Sequence, residues 1–207
     1  YNFFTVDLSA FYLDVIKDRA YCSGKDSTLR RSAQTAIFQI LRDTLALMAP
    51  ILPFTTDEAW EAMPAFAGKE ESVHLETFPV SAKAWLAPEL SREMAELIKI
   101  RESVLKELEK AREARSIGNS LEACVVLEVP AAQSALLAKY EKDLPALFIV
   151  SAVKLDPSGG EELGIRVEKA PGAKCERCWN YSLHVGKSAE FPAFCARCED
   201  VVRASGR

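Results

Sequence analysis

Four cysteines near one end of the chain fall as C-x2-C-x16-C-x2-C, at Cys175, Cys178, Cys195 and Cys198. Two residues between paired cysteines let a tight turn present both thiolates to one ion, at about 2.3 Å. Two such knuckles complete a tetrahedron of sulfur. That donor set suits Zn2+ and leaves no open position for catalysis. The spacing predicts one structural Zn2+. Two disulfides or an iron–sulfur cluster are the other readings these residues permit. So short a segment has no core of its own, and the metal would order it, contributing on the order of 10 kcal/mol. His184 lies between the pairs and is a lesser candidate ligand.

The rest of the chain bears on the choice of metal. Cys22 and Cys124 stand alone, and a long stretch able to build its own core precedes Cys175. A disulfide scaffold would spread its cysteines instead, so a reducing compartment, the cytoplasm, is expected. Of the 207 residues, 49% are apolar and 27% charged, a balance that suits a globular protein. Net charge is −4, so any nucleic-acid surface must be a local patch. No apolar run approaches the roughly 18–20 residues that span a bilayer, and no membrane contact is expected. The opening Tyr1-Asn2-Phe3-Phe4 lacks the basic region of a signal peptide. It also lacks an initiator Met, and the chain is expected to be part of a longer protein.

Hydrophobic periodicity divides the chain into three. Residues 1–119 read as a helical bundle. Leu8, Phe11, Tyr12, Val15 and Ile16 mark a first helix, broken at Ser23-Gly24. Asp26 or Ser27 offers the cap of a second, whose stripe runs through Leu29, Ala33, Ile37, Ile40, Leu41, Thr44, Leu45 and Met48 before Pro50. Thr55 with Glu58 fits a capping box for a short third helix. Ser72 to Leu75 read as extended. A long helix is expected from about Pro88 to Ser116, with Leu90, Met94, Leu97, Ile98, Val104, Leu105 and Leu108 facing inward. Arg101 interrupts that stripe. It either packs inside the bundle, snorkelling or pairing with a glutamate, or lines a nucleic-acid groove.

Residues 120–170 read as a small β-α-β-β unit. Cys124 to Val129, Ser151 to Leu155 and Leu163 to Glu168 are its strands, and Ala131 to Lys142 its main helix. Pro157-Ser158-Gly159-Gly160 signals the last turn. Pro171-Gly172 then leads into residues 171–207, the cysteine module. The expected class is α+β, mainly α: a bundle, a small mixed unit and a four-cysteine zinc ribbon.

Chemistry-bearing residues elsewhere are sparse. His74 has no cysteine, serine or carboxylate arrangement around it in the sequence and reads as structural. No Gly-rich phosphate loop appears, and no catalytic constellation. The tail from residue 171 nets +2, six Lys/Arg against four Asp/Glu, while the whole chain nets −4. Lys174, Arg177, Lys187 and Arg197 interleave there with Trp179, Tyr181, Phe191 and Phe194. Unpaired RNA bases favour such a mixture, rings for stacking and cations for phosphate. The same aromatics could equally pack over the metal while the charges solvate the module. Composition leaves the two readings even.

Several stretches together resemble one family. They are F-Y-L-D-V-I-K-D-R (11–19), R-R-S-A-Q-T (30–35), M-A-P-I-L-P-F-T-T-D-E-A-W (48–60), S-V-H-L-E-T-F-P (72–79), I-G-N-S-L-E-A (117–123) and C-E-R-C-W (175–179). In order and over essentially the whole chain, they resemble the C-terminal part of bacterial-type isoleucyl-tRNA synthetases. The resemblance implies an anticodon-binding bundle followed by a zinc ribbon, gripping the anticodon stem-loop of isoleucine tRNA. It places Arg177 and Trp179 against the anticodon loop, the ring stacking on a base; Lys174, Lys187 and Arg197 are weaker candidates, from the composition of the tail alone. The parent enzyme would join isoleucine to tRNA using ATP and Mg2+. The H-I-G-H and K-M-S-K-S signatures for ATP are absent here, so the chain alone should bind RNA, as a monomer, without aminoacylating. A valyl-type relative and a zinc-ribbon module for protein contacts are the alternatives.

Overall fold

The computed structural model describes residues 1–157 and 160–206. Ser158 and Gly159 of the turn signal Pro157-Ser158-Gly159-Gly160, and Arg207, lie outside the described residues. The protein is mainly helical, with a small mixed sheet and a cluster of four cysteines. Among the described residues no helix is long and apolar enough to cross a membrane. The chain forms two compact units, Lys25–Ala87 and Tyr1–Gly24 with Pro88–Arg207. These boundaries are drawn differently from the three sequence segments 1–119, 120–170 and 171–207, because the last helix of the first segment packs on the sheet of the second.

The 25–87 unit is an α-helical hairpin closed by a turn. Helix α2 (Thr28–Met48) starts after Ser27, whose side chain makes no capping bond. It buries Ala33, Leu45 and Ala46, while Leu29 and Leu41 of the expected stripe stay exposed. Helix α3 (Pro53–Ala62) begins earlier than the Thr55/Glu58 signal implied. Pro53 is pre-organised for a first turn and has no N–H to satisfy there, so it starts the helix. Thr55 therefore lies inside the helix and caps nothing. The adjacent Thr56 hydroxyl donates to the Leu52 carbonyl at 2.9 Å.

The stretch expected to be extended around residue 73 is instead a 3-10 turn, Val73–Leu75. Ser72 and Asp57 impose it. The Asp57 carboxylate accepts from the Ser72 hydroxyl at 2.6 Å and from the Val73 N–H at 3.2 Å, and Ser72 Oγ accepts from the His74 N–H at 3.2 Å. His74 Nε2 lies 3.2 Å from the Pro53 carbonyl, a structural contact. Leu45, Ala49, Trp60, Met63 and Val73 form the core.

The other unit is built on helix α4 (Pro88–Glu113), after a π-helical segment Phe3–Leu13 and helix α1 (Lys17–Cys22). The first segment is thus wound wider than the expected α-helix. Leu97, Ile100, Val104 and Leu108 of α4 recur at three- and four-residue spacing, and all are buried. They pack with Val125 and Leu127 of strand β1 (Ala123–Glu128). Arg101 packs internally, but its partners are a carbonyl and a ring rather than a glutamate. Its Nε donates to Leu147 O at 2.9 Å, and its guanidinium stands 5.3 Å from the Phe11 ring centroid.

Strand β1 is central. It runs parallel to β2 (Ala152–Asp156) and antiparallel to β3 (Gly164–Lys169), with Val125 opposite both Val153 and Val167. A parallel neighbour needs a crossover, supplied by α5 (Ala131–Tyr140) and α6 (Leu144–Phe148). This is the β-α-β-β order read from the sequence.

A short antiparallel pair, β4 (Ala173–Lys174) and β5 (Tyr181–Ser182), opens the cysteine module, and helix α7 (Ala196–Ala204) closes it. Gly172 enters β4 with φ +89, and a Cβ there would lie 2.3 Å from Ser182 backbone atoms. Neither the torsion nor the space suits a side chain. Gly172→Ala is expected to destabilise the module by about 1–3 kcal/mol. A metal-release titration checks this; an unchanged midpoint refutes it.

Candidate metal centre and nucleic-acid interface

The four cysteines come from two turns. Cys175 and Cys178 flank the first knuckle, and Cys195 and Cys198 span the start of α7. All four are buried, their sulfurs within 4.8 Å of one another. Cys178 and Cys195 Sγ are 3.7 Å apart. A tetrahedron with about 2.3 Å metal–sulfur bonds has edges of about 3.8 Å, so this separation fits one ion between them. Disulfide sulfurs would stand about 2.05 Å apart, and all six cysteines are free thiols.

Backbone groups orient the knuckles. The Cys175 N–H donates to Asn180 O at 2.9 Å, and the Cys195 N–H to Cys175 Sγ at 3.3 Å. Hydrogen bonding from Cys198 pulls the Cys178 thiol down to about 4, and the same bond pushes Cys198 up. Burial pushes the Cys195 thiol up as well, so the ion-free cluster favours the thiolate at Cys178, and a divalent cation would displace the protons that Cys195 and Cys198 hold.

His184 does not join the sulfurs. Its Nε2 lies 2.8 Å from the Glu199 carboxylate, which also accepts from the Ser188 hydroxyl at 2.8 Å and pairs with Arg203 at 2.7 Å. The His184 contact, then Ser188, holds the Glu199 carboxyl below its ordinary range despite burial. Sequence reasoning missed Glu199. The i, i+4 pair Glu199–Arg203 would have hinted at α7.

Trp179 follows the first knuckle with φ +66. Its N–H donates to Cys175 O at 2.8 Å, closing the turn. A left-handed backbone costs a non-glycine residue roughly 1–2 kcal/mol, and glycine or asparagine ordinarily takes such a position. The indole is 60% exposed, so burial does not offset that cost. Lys174 Nζ stands 5.0 Å from the ring centroid. Of the two readings left even by composition, packing over the metal does not describe this ring.

The other basic residues divide. Arg177 turns inward, its Nη1 donating to Cys22 O at 2.5 Å and to Cys198 Sγ at 3.5 Å. Arg197 forks onto both oxygens of Asp18, with Nη2 to Oδ1 at 2.7 Å. Lys174 and Lys187 are exposed. Beside Trp179 lies a cleft of about 690 Å3, lined by Val15, Tyr21, Ala146 and Ile149 among others.

Residues 1–127 match the family model described as the anticodon-binding domain of tRNA ligase. Residues 172–201 match a second, the zinc finger found in FPG and IleRS. The chain therefore belongs to the family of tRNA ligase anticodon-binding domains, with a zinc finger following. Within that class the similarity runs to isoleucine–tRNA ligases. That of Syntrophotalea carbinolica is 48% identical over 98% of this chain and 22% of its own length. That of Brachyspira hyodysenteriae is 44% identical over 98% of the chain and 22% of its own length. That of Kosmotoga olearia is 41% identical over 99% and 23%. The chain thus spans under a quarter of the length of these curated relatives.

Proposed function

We propose that the chain is the tRNA-binding C-terminal region of an isoleucine–tRNA ligase. It grips the anticodon stem-loop of isoleucine tRNA so that the catalytic part, with ATP and Mg2+, can attach isoleucine. One structural Zn2+ held by Cys175, Cys178, Cys195 and Cys198 closes a four-sulfur shell and supplies order, with no position for chemistry. The bundle 1–119 and the ribbon 171–207 bind the RNA, and the unit 120–170 joins them. The region works as a cytoplasmic monomer.

The observation that carries this reading is Trp179: exposed, held in a costly backbone by the first knuckle, with a cation beside its ring. A rigid exposed indole is a platform for an unpaired base. Lys174 and Lys187 remain available for phosphate. Arg177 keeps only the guanidinium edge away from Cys22 for RNA, so its chief work is to hold the knuckle. The relatives favour an isoleucyl over a valyl enzyme, and a module for protein contacts would bury the ring or match it to a groove.

Trp179→Ala is expected to weaken binding of isoleucine tRNA about 5- to 150-fold, one stacked base at roughly 1–3 kcal/mol. Zinc content should not change. The measurement is a Kd at fixed, stated salt, with a non-cognate tRNA and an anticodon-changed tRNA alongside. Indifference to the anticodon, or an unaltered Kd in the Ala variant, would refute the proposal.

A further inference from the structure

The two knuckles share more than their cysteines. C-E-R-C and C-A-R-C each carry an arginine directly before the second cysteine, Arg177 and Arg197. Both side chains reach the same short helix, α1. Arg197 forks onto Asp18, and Arg177 donates to the carbonyl of Cys22, four residues on. Arg197 thus holds a side chain within α1, and Arg177 a carbonyl at its C-terminal end, where the helix itself supplies no donor. The Cys22 thiol returns a long contact to the Arg177 carbonyl at 3.8 Å. Asp18, Cys22, Arg177 and Arg197 all line the cleft that Trp179 overlooks.

We propose that Asp18 is a positioning residue for RNA binding: through Arg197 it clasps the metal module to α1 and fixes the Trp179 ring at the mouth of the cleft. The inference rests on the RNA-binding reading above. Bidentate guanidinium–carboxylate pairs set orientation as well as distance. With one arginine from each knuckle on the same helix, at Asp18 and at the Cys22 carbonyl, the module has two anchor points and cannot pivot about either. Metal binding, which orders both knuckles, would then order both anchors.

The rival is that Arg197 contacts RNA directly, and the two predict opposite signs. On the rival view Asp18 competes with phosphate for the guanidinium, so Asp18→Asn tightens binding. On the clasp view Asp18→Asn weakens it, about three- to tenfold for a partly exposed bidentate pair. The probe is an RNA stem-loop carrying the isoleucine anticodon, titrated against the full chain at fixed salt, with zinc content measured for each variant. The charge-swapped double variant, Asp18→Arg with Arg197→Asp, should recover affinity. In a Trp179→Ala background Asp18→Asn should have no further effect, which a general loss of structure would not reproduce. Tighter or unchanged binding in Asp18→Asn overturns the clasp, as does failure of the swap. If Trp179→Ala itself leaves the Kd unchanged, the RNA reading falls and the clasp's role with it. If only Trp179→Ala weakens binding, the clasp alone is wrong.

Discussion

Replacing Cys175 by serine is expected to abolish zinc binding and unfold residues 171–206 as a unit. The Cys175 sulfur is fully buried and accepts from the Cys195 N–H. The remaining buried side chains of its cluster are the other three cysteines, with Cys22, Val185 and Phe194 packed around them. That is too little apolar surface to offset the ordering of some thirty-five residues at about 1–2 kcal/mol each. The metal contributes on the order of 10 kcal/mol in modules of this size. Its loss should convert the segment to a protease-sensitive tail and remove the Trp179-dependent share of RNA affinity. A strong chelator should do the same, reversibly on adding Zn2+. Metal stoichiometry and limited proteolysis check the outcome. One zinc per chain is expected in the parent and none in the variant, and a folded, zinc-free module would refute the proposed role.

Trp60→Ala should produce the second large loss, in the 25–87 unit. Trp60 is fully buried, its ring edge-on to Phe66 with centroids 5.7 Å apart. Its Nε1–H donates to Glu70 O at 2.9 Å, tying α3 to the chain that follows. Truncating so large a buried aromatic costs about 3–5 kcal/mol. Trp60→Phe separates the two contributions. It keeps most of the apolar volume but leaves the Glu70 carbonyl without its donor, for about 1–3 kcal/mol. Denaturant midpoints at constant slope are the measurement. Equal losses in the two variants would mean the hydrogen bond, not the packing, matters most.

Features encoded by local spacing were legible in the sequence. The cysteine pattern points to the sulfur cluster, α4 follows from three- and four-residue periodicity, and β1 from an apolar run between turn signals. Failures came where a neighbour in space or a stiffer local signal decided. Thr55 looked like a cap until Pro53, fixed at a helical φ, started α3 ahead of it. Residues 73–75 looked extended until Asp57, sixteen residues earlier, took hold of the Val73 N–H. Helix α7 was not read because its alternation of cysteine and charge masks a short amphipathic pattern. For the candidate site, spacing and resemblance indicated the metal ligands and Trp179. They did not indicate that Arg177 and Arg197 are engaged, since both partners lie more than 150 residues away in the chain.

The nesting of one compact unit inside the other has a consequence for how the protein is made. Residues 25–87 are continuous, whereas the unit around them needs Tyr1–Gly24 and everything from Pro88 onward. On the ribosome the inner unit has its full complement of residues first. Cys22 of helix α1 lies 155 residues upstream of Arg177, and it waits for that partner while the residues between are made. At about 5–20 residues per second that wait is about 8–30 s. The metal module, the last of these segments in chain order, completes the outer unit in the same step that delivers its two arginines.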